Sequence, residues 1–290
     1  MRELGHPLCV GLDPYLDRIP APFRRGTMAP GQQETAESIE EFCLRIIDIV
    51  APSVAVIKPQ ASLFESLGWR GWRVLENVIH HARSAGLLVL LDAKRGDIAD
   101  TARGYAQAYL SPEAPCPVDA MTVNPYLGPE SIAPFMDQAR KADRGVVVLV
   151  RNSNRDSSAY QSLETAAGPF FGVVASSLAP WQERVPGPVT GWSSLGVTVA
   201  ATHAGDTELI RIALPRAVFL VLGYGAQGAS ARDAVRGFGR GPAGLEGGMV
   251  SSSRPILFPS GAENSGARAW EEAVRSAVHQ ATDELGEAVV

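Results

Sequence analysis

Eight short apolar runs recur along this chain, each close to continuous rather than alternating, and each followed by a helical pattern. They lie at 7–12 (PLCVGL), 54–58 (VAVIK), 87–92 (LLVLLD), 118–123 (VDAMTV), 145–150 (GVVVLV), 195–201 (LGVTVAA), 217–222 (AVFLVL) and 248–252 (GMVSS). A strand with one wet face alternates polar and apolar residues. A continuous run fits a strand covered on both faces, as in parallel sheets. Between the runs, residues 34–50 put Ile39, Phe42, Ile46, Ile47 and Val50 on one helical stripe. Residues 71–85 do the same with Val74, Val78 and Ile79, and Gly86 stands where a helix C-cap glycine belongs. Further helices are predicted over about 98–109, 129–141, 158–184, 205–213, 229–238 and 266–285. Eight strand–helix units predict a (β/α)8 TIM barrel. An open doubly wound sheet is the competing arrangement, and the count of eight favours closure. A single barrel domain over 1–290 is expected, since neither a linker nor an internal repeat is visible. The glycine-dense stretch 237–248 (GFGRGPAGLEGG) is expected to be a mobile loop between the seventh helix and the eighth strand.

Composition narrows the function classes. A formal net charge of −5, with no Lys/Arg cluster, gives no footprint for nucleic acid. The three cysteines, Cys9, Cys43 and Cys116, are odd in number and form no CxxC pair. That argues against structural zinc and a disulfide framework, and it suits a reducing cytoplasm. No apolar stretch approaches the roughly 20 residues of a membrane span, and the N-terminus lacks a signal-peptide pattern.

The charges gather at strand ends. "LLDAKRGDIADT" (90–101) follows directly on Leu87–Leu91. In a barrel, chemistry sits at the C-terminal ends of strands, and residues two apart share a side. Asp92 and Lys94 should therefore point together into the mouth. Lys58 closes the second run and Asp13 the first, so four charges ring one pocket. Plainer readings stand beside this one. Asp13 could cap the turn before Pro14, Lys58 could lie along the surface, and Asp92 with Lys94 could be a structural ion pair. Asp97 could be the N-cap of a helix starting at Ile98. Arg95 and Asp100 read as solvent or interface residues.

Two carboxylates about 4 Å apart repel by about 4 kcal/mol at an effective dielectric of about 20, and a lysine between them removes that repulsion. An alternating Lys–Asp array is thus a fixed charge pattern. It can hold an ammonium proton against a carbon that becomes a carbanion, or set a carboxylate where a substrate carboxylate must sit and leave. A Schiff-base lysine needs a lowered pKa, which neighbouring aspartates oppose.

The seventh strand runs into "GYGAQGAS" (223–230) and the eighth into "SSSRP" (251–255). Loops after strands 7 and 8 of such barrels frequently bind phosphate. Glycines such as Gly228 let backbone N–H groups approach an anion. Gln227 adds an amide donor, and Arg254 a bidentate fork. Ordinary turn glycines are the plain alternative. After the fifth strand, Ser153 in "VRNSN" (150–154) could read a heterocycle edge or be a loop serine. After the fourth, Asn124 in "TVNPYLG" (122–128) could line the pocket or shape the turn before Pro125.

At these residues a family resemblance emerges. "DAKRGDIADT" resembles the Asp-x-Lys-x-x-Asp-Ile-x-x-Thr signature of orotidine 5′-phosphate decarboxylases. "VIKPQASLFESLGWRGW", "TVNPYLG", "RNSN", "GYGAQG" and "SSSRPI" are similar to the longer bacterial (type 2) form, in order from Asp13 to about Phe258. The resemblance implies decarboxylation of orotidine 5′-phosphate to UMP with neither metal nor organic cofactor. By position it implies Lys94 as the acid that protonates C6, Asp92 beside the departing carboxylate, and Lys58 as a bridge to the ribose. It implies Asp13 on a ribose hydroxyl, Ser153 on the pyrimidine edge, and Gln227 with Arg254 on the phosphate. Asp97, with Ile98 and Thr101, would reach into the neighbouring subunit's site of a homodimer. The residues after about Phe258 and the 155–190 insertion carry no motif. Two rival readings are a magnesium-dependent sugar-phosphate decarboxylase or aldolase of the same barrel superfamily, and a non-catalytic phosphate-ligand-binding barrel.

Overall fold

All eight predicted strands form. In the computed structural model, which describes residues 1–290, they are β1 (Leu8–Leu12), β2 (Val56–Pro59), β3 (Leu88–Arg95) and β4 (Ala120–Val123), then β5 (Gly145–Val148), β6 (Leu195–Ala200), β7 (Val218–Leu222) and β8 (Gly248–Ser252). Each pairs in parallel with its sequence neighbours, and β1 pairs with β8 to close the barrel. The expected (β/α)8 architecture is therefore the one present, as a single closed barrel.

The main outer helices are α1 (Gln33–Val50), α3 (Trp69–Ser84), α4 (Ala99–Leu110), α5 (Ala133–Ala142), α7 (Phe170–Gln182), α8 (Ala204–Ala213), α9 (Ala231–Val235) and α11 (Ala267–Val289). Three short ones, α2 (Ala61–Glu65), α6 (Ser158–Gln161) and α10 (Arg254–Leu257), sit where chain leaves a strand at the mouth. Gly86 ends α3 in the left-handed region, with the Leu87 N–H donating to the Ala82 carbonyl at 3.0 Å. Strand β1 is buried throughout, as a strand covered on both faces must be.

Side-chain alternation divides the core. One large cluster packs strands against helices, with Phe42, Phe64, Phe135, Phe219 and Trp270 among its fully buried members. A second, smaller cluster fills the lumen: Cys9, Val56, Leu90, Val147 and Leu220. Lys58 and Asp92 stand two residues beyond Val56 and Leu90, so the parity that fills the lumen also stacks charge above it.

Four sequence expectations need correction. The helix over 158–184 is broken: α6 ends at Gln161, and a small hairpin pairs Glu164–Thr165 with Gly168–Pro169 before α7 begins. Gly168 (φ +99°) and Pro169 interrupt the helical ladder there. The helix over 229–238 is only α9. The segment 237–248 is not a free loop. Gly239–Gly241 and Gly244–Glu246 form an antiparallel hairpin. A Cβ on Gly247 would lie 2.3 Å from the Trp192 ring, and one on Gly248 2.2 Å from the Phe238 ring. These glycines admit close aromatic packing rather than motion. Fourth, Arg95 is not a freely solvated residue: it is half-buried and ion-paired with Glu65. Asp100 is exposed and pairs with Arg103, one turn along α4.

Candidate active site

The ends of β2, β3 and β4 bring one carboxylate between two ammonium groups. Lys58 Nζ donates to Asp92 Oδ2 at 3.0 Å, and Lys94 Nζ donates to Asp92 Oδ1 at 2.6 Å. Thr122 Oγ1 also donates to Asp92 Oδ1, at 2.9 Å, and accepts the Lys94 backbone N–H at 2.9 Å. Lys58 and Asp92 are 4% and 5% exposed, whereas Lys94 is exposed to the mouth.

The electrostatics follow from burial and pairing. Desolvation alone would raise the Asp92 carboxyl, but Lys58 and Lys94 together hold it well below the usual carboxylate range. Desolvation alone would lower Lys58, but Asp92 and Asp13 hold it above the usual lysine range. Beneath them, burial pushes the Cys9 thiol up to about 12, so it is an inert part of the lumen filling.

Sequence periodicity predicts Asp92 and Lys94 on one side of a regular strand. They do meet, but by a different route. The β3–β4 register shifts between Leu91 and Arg95, and Lys94 has a left-handed backbone (φ +48°). For a residue with a Cβ this costs about 1–2 kcal/mol, and such strain gathers at functional sites.

Asp13 joins the cluster from β1. Its Oδ2 accepts the Ser253 hydroxyl at 2.6 Å, while its Oδ1 is buried with no partner. This carboxylate oxygen near Lys58 can accept a further hydrogen bond. Ser253 directly precedes Arg254, which opens α10, is exposed and makes no ion pair. The loop after β7 turns through three left-handed glycines, Gly223, Gly225 and Gly228. Gly223 sits against Gln227, Ser153 and Thr202: a Cβ there would meet Gln227 Oε1 at 3.0 Å and Ser153 Cβ at 3.2 Å. A Cβ on Gly225 would touch Pro255 at 3.7 Å, whereas nothing lies within 4 Å of one on Gly228. The β7 loop with Gln227 and Gly228, Ser153, and the α10 start at Arg254–Pro255 thus share one side of the mouth. Asp13 and Ser253 link that side to the charge cluster.

The other predicted residues stand apart within one chain. Asp97 forms no ion pair with either lysine. Its Oδ1 accepts the Ile98 N–H at 2.8 Å, and α4 begins only at Ala99, so Asp97 is not that helix's N-cap. Ile98 is 62% exposed, and Thr101 lies exposed in the first turn of α4. Asn124 is exposed, and its Oδ1 accepts the Tyr126 N–H at 3.0 Å, which shapes the turn at Pro125. Thr122 and Ser253 are the contributors that sequence reading missed. Each occurs where inward parity at a strand end offers the one available signal.

Buried Arg151, just beyond β5, ties down the start of the 155–190 insertion. It pairs with Asp206 at 2.8 Å and donates to Ser157, Ser158 and Gln161. No helix is long and apolar enough to cross a membrane.

Residues 6–264 match the orotidine 5′-phosphate decarboxylase / HUMPS family. The chain is 37% identical over 289 residues to an orotidine 5′-phosphate decarboxylase of Rhodopirellula baltica, covering 97% of this chain and 94% of that one. It is 38% identical over 252 residues to one from Nocardioides sp., covering 87% and 86%. Among solved structures, Leishmania donovani OMP decarboxylase superposes with a TM-score of 0.75 at 30% identity, covering 99% of this chain and 95% of that one.

Proposed function

The chain belongs to the orotidine 5′-phosphate decarboxylase / HUMPS family, and from that premise we propose how its barrel mouth works. It is a carboxy-lyase of pyrimidine synthesis that decarboxylates orotidine 5′-phosphate to UMP. The observation that carries our reading of the site is the buried Asp92 carboxylate held between the Lys58 and Lys94 ammonium groups.

Substrate enters with its phosphate against Gln227, the Gly228 backbone and Arg254. Ser153 meets the pyrimidine edge, and the unpartnered Asp13 Oδ1 accepts a ribose hydroxyl. Lys58 bridges the charge cluster to the ribose. Phosphate and ribose contacts supply remote binding energy that orders the reacting centre. The C6–carboxylate bond lies beside Asp92. When it breaks, carbon dioxide departs and the electron pair stays on C6, in the ring plane and outside the π system. The fixed Lys94 ammonium stabilises that pair and delivers its proton to C6. Both Asp92 oxygens accept from ammonium groups, so the carboxylate keeps both lysines protonated and in place.

The exposed apolar rim of Ile98, Tyr126 and Leu127 supports a homodimer in which Asp97 and Thr101 complete the partner's site. Asn124, at that same rim, would contribute through the turn that it shapes. A reducing cytoplasm suits the buried, unpaired thiols of Cys9, Cys43 and Cys116.

An absorbance assay of orotidine 5′-phosphate consumption, run with a strong chelator, tests this reading. Turnover should persist with the chelator. Lys94→Ala should lose about 10³-fold or more in kcat while still binding UMP. Chelator-abolished turnover would favour the magnesium-dependent relative. UMP binding without turnover would favour a binding barrel. A Lys94→Ala enzyme with normal kcat would remove lysine protonation.

A further inference from the structure

Lys94 is one of three non-glycine residues with a left-handed backbone. The other two, Met28 and Asp143, lie before α1 and at the end of α5. A side chain adopts that conformation only where the surroundings hold it there. Three hydrogen bonds surround the Lys94 backbone. Its own N–H donates to Thr122 Oγ1 at 2.9 Å, and the Arg95 carbonyl after it accepts the Asn124 N–H at 2.7 Å. The Ala93 carbonyl before it accepts from Arg95 Nη1 at 3.2 Å, so the guanidinium folds back across Lys94.

The same guanidinium pairs with Glu65 at the end of α2 and lies 5.5 Å from the Tyr105 ring centroid on α4. Helix α2 follows β2, the strand that carries Lys58. The Arg95–Glu65 pair is therefore a second tie between the β2 and β3 ends, on the helix side of the barrel wall. At 19% and 31% side-chain exposure it is sheltered from full solvent screening.

We propose that Arg95, fixed by Glu65, is a positioning residue for decarboxylation. It holds the strained Lys94 turn so that the ammonium faces C6. The proposal rests on the decarboxylase reading above. Arg95 itself touches no substrate. Its removal should weaken the placement of the acid while leaving the ribose and phosphate contacts in place.

The test compares Arg95→Met, Arg95→Lys and Glu65→Gln with the parent enzyme by kcat, KM, UMP affinity and thermal unfolding. A displacement of about 1 Å at a reacting group can cost about 10²-fold, so Arg95→Met should lose about 10- to 100-fold in kcat. KM and the UMP Kd should stay within about threefold, the pattern of an interaction realised in the transition state. Arg95→Lys keeps one charged donor and should recover part of the loss. Glu65→Gln should lose about three- to tenfold in kcat, again at near-constant KM. If Arg95→Met does not fold, the Glu65→Gln split decides. A folded Arg95→Met enzyme with kcat within about twofold of the parent overturns the proposal, as does a fall in kcat matched by comparable rises in KM and UMP Kd. Lys94→Ala separates the two readings. If it keeps normal turnover, the decarboxylase mechanism fails. If it is inactive while Arg95→Met is normal, only the positioning role fails.

Discussion

Replacing Asp92 by Asn leaves two ammonium groups facing an uncharged amide, and Lys58 is almost wholly buried. At about 3 Å and an effective dielectric of about 20, each lost attraction is roughly 5 kcal/mol before desolvation is counted. Removing one partner of a buried pair costs about 3–5 kcal/mol net. Asp13 remains as a second carboxylate acting on Lys58, so the lower end applies, about 3 kcal/mol. Urea unfolding of both proteins measures the difference. Its pH dependence is diagnostic. In the parent, Lys58 is held above the usual lysine range. Its contribution is then complete below the unfolded value of about 10.4 and is lost only as pH rises through the folded one, so that contribution stays flat between about pH 7 and 9.5. In the variant, burial without Asp92 lowers Lys58, the unfolded chain binds more protons through that group in that window, and the difference from the parent narrows as pH rises. The Asp92 carboxyl is depressed in the parent. Its contribution is present above the unfolded value of about 3.9 and is lost as pH falls below that, a loss that the variant lacks. A decrease under about 1 kcal/mol with no pH slope would refute the reasoning.

Gly223→Ala forces a Cβ onto a left-handed residue 3.0 Å from Gln227 Oε1. It should lower kcat/KM by about tenfold, mostly through KM, for a strain of about 1–3 kcal/mol, and steady-state kinetics with and without inorganic phosphate checks this. If Asp97 serves the partner's site, mixing inactive Lys94→Ala and Asp97→Ala proteins under subunit exchange should restore about a quarter of parental activity, since half the dimers are then hybrids with one intact site. No recovery after demonstrated exchange would refute the shared site.

The barrel is legible in the sequence because burial on both faces leaves continuous apolar runs, and those runs fall within a few residues of the observed strands. Lys58 and Asp92 are legible through parity, since they extend the inward rows that begin at Val56 and Leu90. The Lys94 turn is not legible. A left-handed lysine depends on Thr122, Asn124 and Arg95, which are brought together only by strand pairing. Thr122 reads as one more β-branched strand residue, so its hydroxyl role is hidden. Glycines mislead in two directions. At 237–248 they make room for Trp192 and Phe238, whereas at Gly168 one ends a helix that periodicity carries through.

The layer of Cys9, Val56, Leu90, Val147 and Leu220 stoppers the barrel from below, and Lys58 sits directly on that stopper. It offers no polar relay through the centre of the molecule. Under the proposed mechanism, each hydrogen given to the ring would be replaced from bulk water at the open rim, where Lys94 is exposed. Refilling and product departure share one doorway, so the catalyst recharges only between visits.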